Sequence, residues 1–211
     1  MPSNTRICKP LPCTSDPGIR TRQAMKKLEF TMKLSLTAGR PADTTGRTPQ
    51  EIAVYDLLDQ LNITYERVDH PAAFTMEACL AIDEVLAPAV ICKNLFLCNR
   101  QKTNFYLLMI REDKTFKTKD ITKQIGSARL SFAPEENMME YLQISPGSVS
   151  VMGLMNDTEN HVQLLIDKDV LQEEYLGCHP CVNTSSIRFP VADLVLKFLP
   201  AVHHEFLEVV I

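Results

Sequence analysis

No apolar run in this sequence approaches the ~20 residues that a membrane-spanning helix needs, and the N-terminus lacks the apolar core of a secretory signal. A P-loop, a dinucleotide fingerprint and a G-x-S-x-G nucleophile elbow are also missing. The seven cysteines are odd in number and scattered, and a chain of 211 residues is too long for a disulfide-stapled miniature. These absences argue against a membrane protein, a fingerprinted nucleotide enzyme and a serine-elbow hydrolase. They leave a reducing interior, and hence a cytoplasmic location, as the expectation.

The formal net charge of -4 is unevenly spread. Residues 100–129 hold eight Lys and Arg against three Asp and Glu, whereas residues 130–211 hold three against twelve. A protein that coats a duplex would be basic throughout. One that touches a single end of a nucleic acid needs only a local patch, because each phosphate contact is local.

Residues 1–47 are basic and rich in Pro, Ser and Thr, and are expected to form a disordered extension. A mitochondrial presequence is the alternative, although Pro2, Pro10, Pro12 and Pro17 interrupt the amphipathic helix it would need. The domain is expected over residues 48–211. Thr48 caps a helix with Pro49 in its first position and Glu51 at the acid position of a capping box. Ile63–Val68 reads as a strand, and Thr75 as the cap of a second helix. Val90–Cys98 and Asn104–Ile110 read as a hairpin. Helices follow over 118–125 and 134–142, then a strand over 149–155 and another over 162–166. A helix is expected over 169–175, a strand over 185–188, and a closing helix over 191–199 halted by Pro200. This irregular alternation predicts an α+β domain built on a mixed β-sheet with flanking helices.

Three separated segments carry the chemistry. In Val90–Leu97, strand alternation puts Cys92, Asn94 and Phe96 on one face and Ile91, Lys93, Leu95 and Leu97 on the other. Lys93 is either an edge lysine that snorkels to solvent or a site lysine facing an anion. Ser145-Pro146-Gly147-Ser148 has turn chemistry, and its amides form either a plain connector or an anion cradle. Gly153 in an apolar run marks a bulge or a close approach of a ligand. His179 is fixed by Pro180 as a turn residue or a pocket imidazole, with Asn183 nearby.

Cys178-His179-Pro180-Cys181 also has redox C-x-x-C spacing, but a polar run follows it where such a motif needs a helix. One pair builds no zinc site. His203 and His204 are adjacent and point about 100° apart on a helix, a poor metal pair. His70-Pro71 reads as a structural strand end.

Taken in order, Lys93–Leu97, Arg129–Ala133, Ser145–Val149, Gly153–Asp157, His179–Thr184 and Asp193-Leu194 resemble the YbaK/prolyl-tRNA-synthetase-associated domain family. The similarity is greatest to its free-standing ProX type, which deacylates mischarged Ala-tRNA(Pro). The resemblance implies a trans-acting aminoacyl-ester hydrolase of translation quality control, working without metal or other cofactor. It implies catalytic roles for Lys93 and His179, and a substrate pocket lined by Asn94, Gly147, Ser148, Gly153 and Asn183. Mischarged tRNA(Pro) would be the partner, with prolyl-tRNA synthetase a further one and no membrane involved. Within the basic block, Lys114, Lys117 and Lys119 are the expected tRNA contacts. A non-catalytic tRNA- or synthetase-binding module stays open as an alternative, as does a deacylase for seryl- or cysteinyl-tRNA. Cys181 and Val151-Met152 depart from the family pattern, which bears on pocket shape.

Overall fold

A computed structural model describes residues 34–72 and 76–211. Among these described residues, nine strands form one mixed sheet: β1 (Thr37–Ala38), β2 (Glu66–Asp69), β3 (Val90–Asn99), β4 (Phe105–Arg111), β5 (Leu130–Phe132), β6 (Val162–Asp167), β7 (Tyr175–Cys178), β8 (Ser185–Pro190) and β9 (Phe206–Val209). Their order is β1-β2-β8-β7-β3-β4-β6-β9, with β5 on the free part of β3. Parallel pairs join β3 to β7, β4 to β6 and β6 to β9, and the remaining pairs are antiparallel. The α+β expectation holds.

Alternation along the central strands divides the core in two. Phe96, Leu107, Met109, Leu164 and Ile166 pack with Tyr55, Phe189 and Phe198 on one face. Leu97, Leu108, Ile110 and Leu165 pack with Ile121 and Val209 on the other. Helix α1 (Pro49–Gln60) begins as expected, with Thr48 Oγ1 accepting from Glu51 N at 3.2 Å. The Glu51 carboxylate does not reach back to complete a capping box. It is buried, accepting from Tyr55 Oη at 2.8 Å and pairing with Arg47.

Several expectations are revised. Packed structure begins before Thr48: β1 pairs with β2, and Gly39 N donates to Tyr65 O at 2.9 Å. Residues 1–33 of the basic extension, and Thr75, lie outside the described residues. Helix α2 runs over Met76–Leu86, α3 over Thr118–Gln124 and α4 over Glu135–Leu142. The segment expected as a strand over 149–155 is instead a 3-10 helix, Val151–Asn156, capped by Ser150 Oγ, which accepts from Met152 N. Val151, Met152 and Leu154 are buried all round, so hydrophobicity alone could not separate strand from helix.

The expected helix at 169–175 is a single turn, Val170–Gln172, because Tyr175–Cys178 leaves it to enter the sheet as β7. The closing helix runs through Pro200, with a π turn at Leu194–Phe198 ahead of Leu199–Ala201. That wider turn makes room for a proline, which lacks the donor and crowds the preceding turn. His204 is buried, its Nε2 3.0 Å from Asp157 O.

Candidate active site

Strands β3 and β7 stay paired over only Val90↔Leu176 and Ile91↔Gly177. Farther along, the same edge of β3 is taken by β5, starting at Leu97. Between these two pairings the sheet splits, and a cavity of about 520 Å³ lies at the carboxyl end of β7. Such splits beyond the carboxyl ends of strands are where sheets commonly seat ligands. Gly177 permits the close approach that starts the split, since a Cβ there would lie 2.3 Å from Ile91 Cδ1. Helix α2 closes one side with Leu80, Ile82, Asp83 and Leu86.

His179 lines this cavity directly after β7. Its Nδ1 lies 2.9 Å from Ser185 O and 3.3 Å from Ser186 Oγ. A carbonyl only accepts, so Nδ1 carries the proton and Nε2 is the ring nitrogen left with a free lone pair. Burial pushes the imidazole below its ordinary pKa, against the opposing pull of the Ser185 carbonyl, so the ring is neutral at pH 7. Ser186 Oγ also sits 3.0 Å from Nε2 of His70, whose Nδ1 is 2.9 Å from Pro71 O. Ser185 is anchored in turn, its Oγ 3.1 Å from Tyr55 Oη.

Lys93 lies at the opposite rim. It is exposed, and its Nζ donates to Lys114 O at 3.0 Å. Beside it, Asn94 Nδ2 donates to Cys92 O at 3.4 Å, and Asn94 Oδ1 is buried without a hydrogen-bond partner. Lys93 and His179 line one cavity, together with Asn94, Gly147 and Asn183.

Gly147 takes φ +88 in a turn closed by Ser148 N donating to Ser145 O at 3.1 Å. Proline ahead of a left-handed glycine is the chemistry of a type II turn. Ser148 is buried within this turn and does not line the cavity. Gly153 is away from it as well. A Cβ there would meet Ile144 Cδ1 at 2.4 Å and Leu142 O at 3.2 Å, so this glycine serves packing of the 3-10 helix against the end of α4.

Lys114 is not a free cation for tRNA. Its Nζ lies 2.6 Å from both Asp167 Oδ2 and Asp169 Oδ2 and donates to Ile211 O at 2.9 Å. Asp167 is fully buried, so this lysine neutralises an interior carboxylate. Lys117 and Lys119 are exposed, with no ion pair among the described residues.

Sequence reasoning missed four contributors. Ser186 was hidden in a polar run, and His70 was read as a strand end. Asp83 on α2 and Glu112 after β4 add carboxylates to the same cavity. Burial first, and then the charge of Glu112, push the Asp83 carboxyl up to about 6. The C-x-x-C thiols are free and buried. Desolvation pushes Cys178 up to about 12 and Cys181 upward too, so neither is an activated thiolate. Among the described residues, no three His, Cys, Asp or Glu cluster as a metal site, and no helix is long and apolar enough to cross a membrane.

The sequence profile of the aminoacyl-tRNA editing domain matches residues 70–196. The prolyl-tRNA editing protein ProX of Acetoanaerobium sticklandii is 32% identical over 142 residues, covering 67% of this chain and 86% of the relative. Prolyl-tRNA synthetase associated domain-containing protein 1 of Danio rerio is 30% identical over 151 residues, covering 71% and 80%. The crystal structure of a candidate trans-editing enzyme for prolyl tRNA synthetase shares the fold at TM-score 0.54 and 17% identity, covering 76% of this chain and 96% of that one.

Proposed function

Because the chain belongs to the aminoacyl-tRNA editing domain family, we propose that it is a trans-acting deacylase that hydrolyses the alanyl ester of mischarged tRNA(Pro). The observation that carries this reading is that Lys93 and His179, from opposite sides of the split sheet, line one cavity. Neutral His179 presents Nε2 as a proton acceptor able to orient and deprotonate water. The hydroxide forms a bond to the ester carbonyl carbon. Lys93 ammonium offsets the oxyanion that develops, a contribution of about 3–4 kcal/mol for one well-placed donor. Collapse breaks the bond to the ribose oxygen, which takes up a proton, releasing alanine and uncharged tRNA.

An aminoacyl ester also carries a free α-ammonium group. Asp83 and Glu112 line the same cavity and provide carboxylates of complementary charge. Apolar walls from Leu80, Ile82, Ile91 and Val149 suit a methyl side chain. Discrimination against the prolyl ring rests on steric exclusion, which is stronger than the ~1–3 kcal/mol available from a missing methylene. The exposed Lys117 and Lys119 are proposed phosphate contacts. Association with prolyl-tRNA synthetase is part of the proposal, and so is a cytoplasmic location, which suits the free thiols.

The test is single-turnover hydrolysis of a panel of labelled aminoacyl-tRNAs. Alanyl-tRNA(Pro) should be cleared fastest, with prolyl-tRNA(Pro) spared. Faster clearance of seryl- or cysteinyl-tRNA would reassign the substrate, and no clearance of any would leave a binding module.

A further inference from the structure

We propose that His70 is a positioning residue for the hydrolysis, acting through Ser186 to hold His179 in the tautomer that leaves Nε2 bare. This rests on the deacylase reading for its consequence in rate, but not for the tautomer itself.

The argument follows the protons across three neighbouring strands. His70 stands at the end of β2, Ser186 on β8 opposite Val68, and His179 just after β7, whose Cys178 pairs with Ile187. His70 Nδ1 faces Pro71 O at 2.9 Å, and a carbonyl can only accept, so that nitrogen carries the hydrogen. Burial depresses the His70 pKa, with the nearby His179 adding to the effect and Pro71 opposing it, so the ring is neutral. Its Nε2 is therefore an acceptor. The hydroxyl of Ser186, 3.0 Å away, is the donor in that bond.

With its one proton committed to His70, Ser186 Oγ can offer only lone pairs to His179 Nδ1 at 3.3 Å. Ser185 O at 2.9 Å offers lone pairs as well. Both oxygens facing Nδ1 are acceptors, and the hydrogen must sit there. Remove the acceptor at His70 and the Ser186 hydroxyl is free to rotate and donate to His179. The competing tautomer then gains the Ser186 hydroxyl as a donor to Nδ1, so that only the Ser185 carbonyl still opposes a hydrogen on Nε2, where the ring cannot take a proton from water. Ser186 is 4% exposed and His70 6%, so water does not readily substitute in either bond. Ser186 itself lines the cavity, whereas His70 lies behind it and reaches the site only through that hydroxyl.

The first test needs no substrate. Long-range 1H–15N NMR of the imidazoles in the full chain at neutral pH should show His179 protonated at Nδ1. A signal from the Nε2–H form in the wild type overturns the proposal outright. The second test compares His70→Phe, which keeps a ring but no acceptor, with His70→Gln, which restores one through its amide oxygen. His70→Phe should bring in the Nε2–H signal and lower kcat about tenfold with KM unchanged, a part of the roughly 10²–10⁴-fold that general base catalysis supplies. His70→Gln should recover most of both. In a Ser186→Ala background, His70→Phe should change kcat no further, because its effect passes through that hydroxyl. An undiminished tenfold loss there, or a loss confined to KM, contradicts the relay. If the wild type showed the expected tautomer yet cleared no alanyl-tRNA(Pro), the deacylase reading would fail while the hydrogen-bond relay stood.

Discussion

The two sides of the cavity are built in opposite ways. The histidine side is made from β7, β8 and β2 and is sealed: His179 is fixed by Ser185 and Ser186, and Ser185 is tied to Tyr55 on α1. The lysine side, made from β3 and the turn after β4, is open. There the Lys93 side chain is exposed, its Nζ hydrogen-bonded to the Lys114 carbonyl. An imidazole that must present one tautomer gains from being locked by packing and hydrogen bonds. An ammonium that must meet a polyanionic substrate has to remain accessible to solvent. The contrast teaches that preorganisation is concentrated where protonation has to be unambiguous.

The sharpest way to break this contrast is rescue. Lys93→Ala and His179→Ala should each cost roughly 10²–10³ in single-turnover rate. Added methylammonium should restore part of the Lys93→Ala loss because that rim is open. Added imidazole should restore none of the His179→Ala loss, since the Nδ1 side is enclosed. Equal rescue of both variants would mean that the two sides are equally accessible.

A smaller effect separates support from chemistry on the lysine side. Lys114→Met leaves Asp167 buried without its cation, and should destabilise the fold by about 3 kcal/mol, read as a lower thermal or denaturant midpoint. It should also raise mobility at Lys93, whose carbonyl partner loses its anchor. An unchanged midpoint would show that the Lys114 ion pairs do not support the fold.

Smaller again is the charge complement of the cavity. Wild type should favour alanyl-tRNA(Pro) over its N-acetyl form, and Asp83→Asn should narrow that preference about tenfold, the worth of one charge-assisted contact. The carboxyl of Asp83 is displaced upward to about 6, so this preference should weaken below pH 6 as the group takes up its proton. His179, displaced below the usual imidazole value, is neutral at pH 7. In Asp83→Asn, the acid loss of rate therefore belongs to protonation of that imidazole and should lie under pH 6.5. The smallest effect is at the basic block. Charge reversal at Lys117 and Lys119 should weaken tRNA binding a few-fold and flatten its salt dependence by about 0.7–0.9 per lost phosphate contact.

Much of the fold was legible because its signals were local. Thr48-Pro49 marks a helix start, and the apolar alternation from Val90 to Leu97 assigns both faces of β3, as the two core clusters bear out. Segments apolar on every side were not legible, and Val151–Asn156 was misread for that reason. Short strands such as β5, β7 and β9 were missed because pairing partners distant in sequence stabilise them. For the site, residue type and motif order pointed to Lys93, Asn94, Gly147, His179 and Asn183, which do line one cavity. What failed was inference from charge or glycine alone. Lys114 looked like a phosphate contact but neutralises Asp167, and Gly153 looked like a ligand approach but relieves a packing clash. His70 and Ser186 act through strand register, which a linear sequence does not display.

The central claim is that an amine and a neutral imidazole act on one ester. Single-turnover hydrolysis of alanyl-tRNA(Pro) by the purified chain, by Lys93→Ala and by His179→Ala tests it most directly. The account predicts rapid clearance by the wild type and near-spontaneous rates for both folded variants. Wild-type rates in either variant would contradict it.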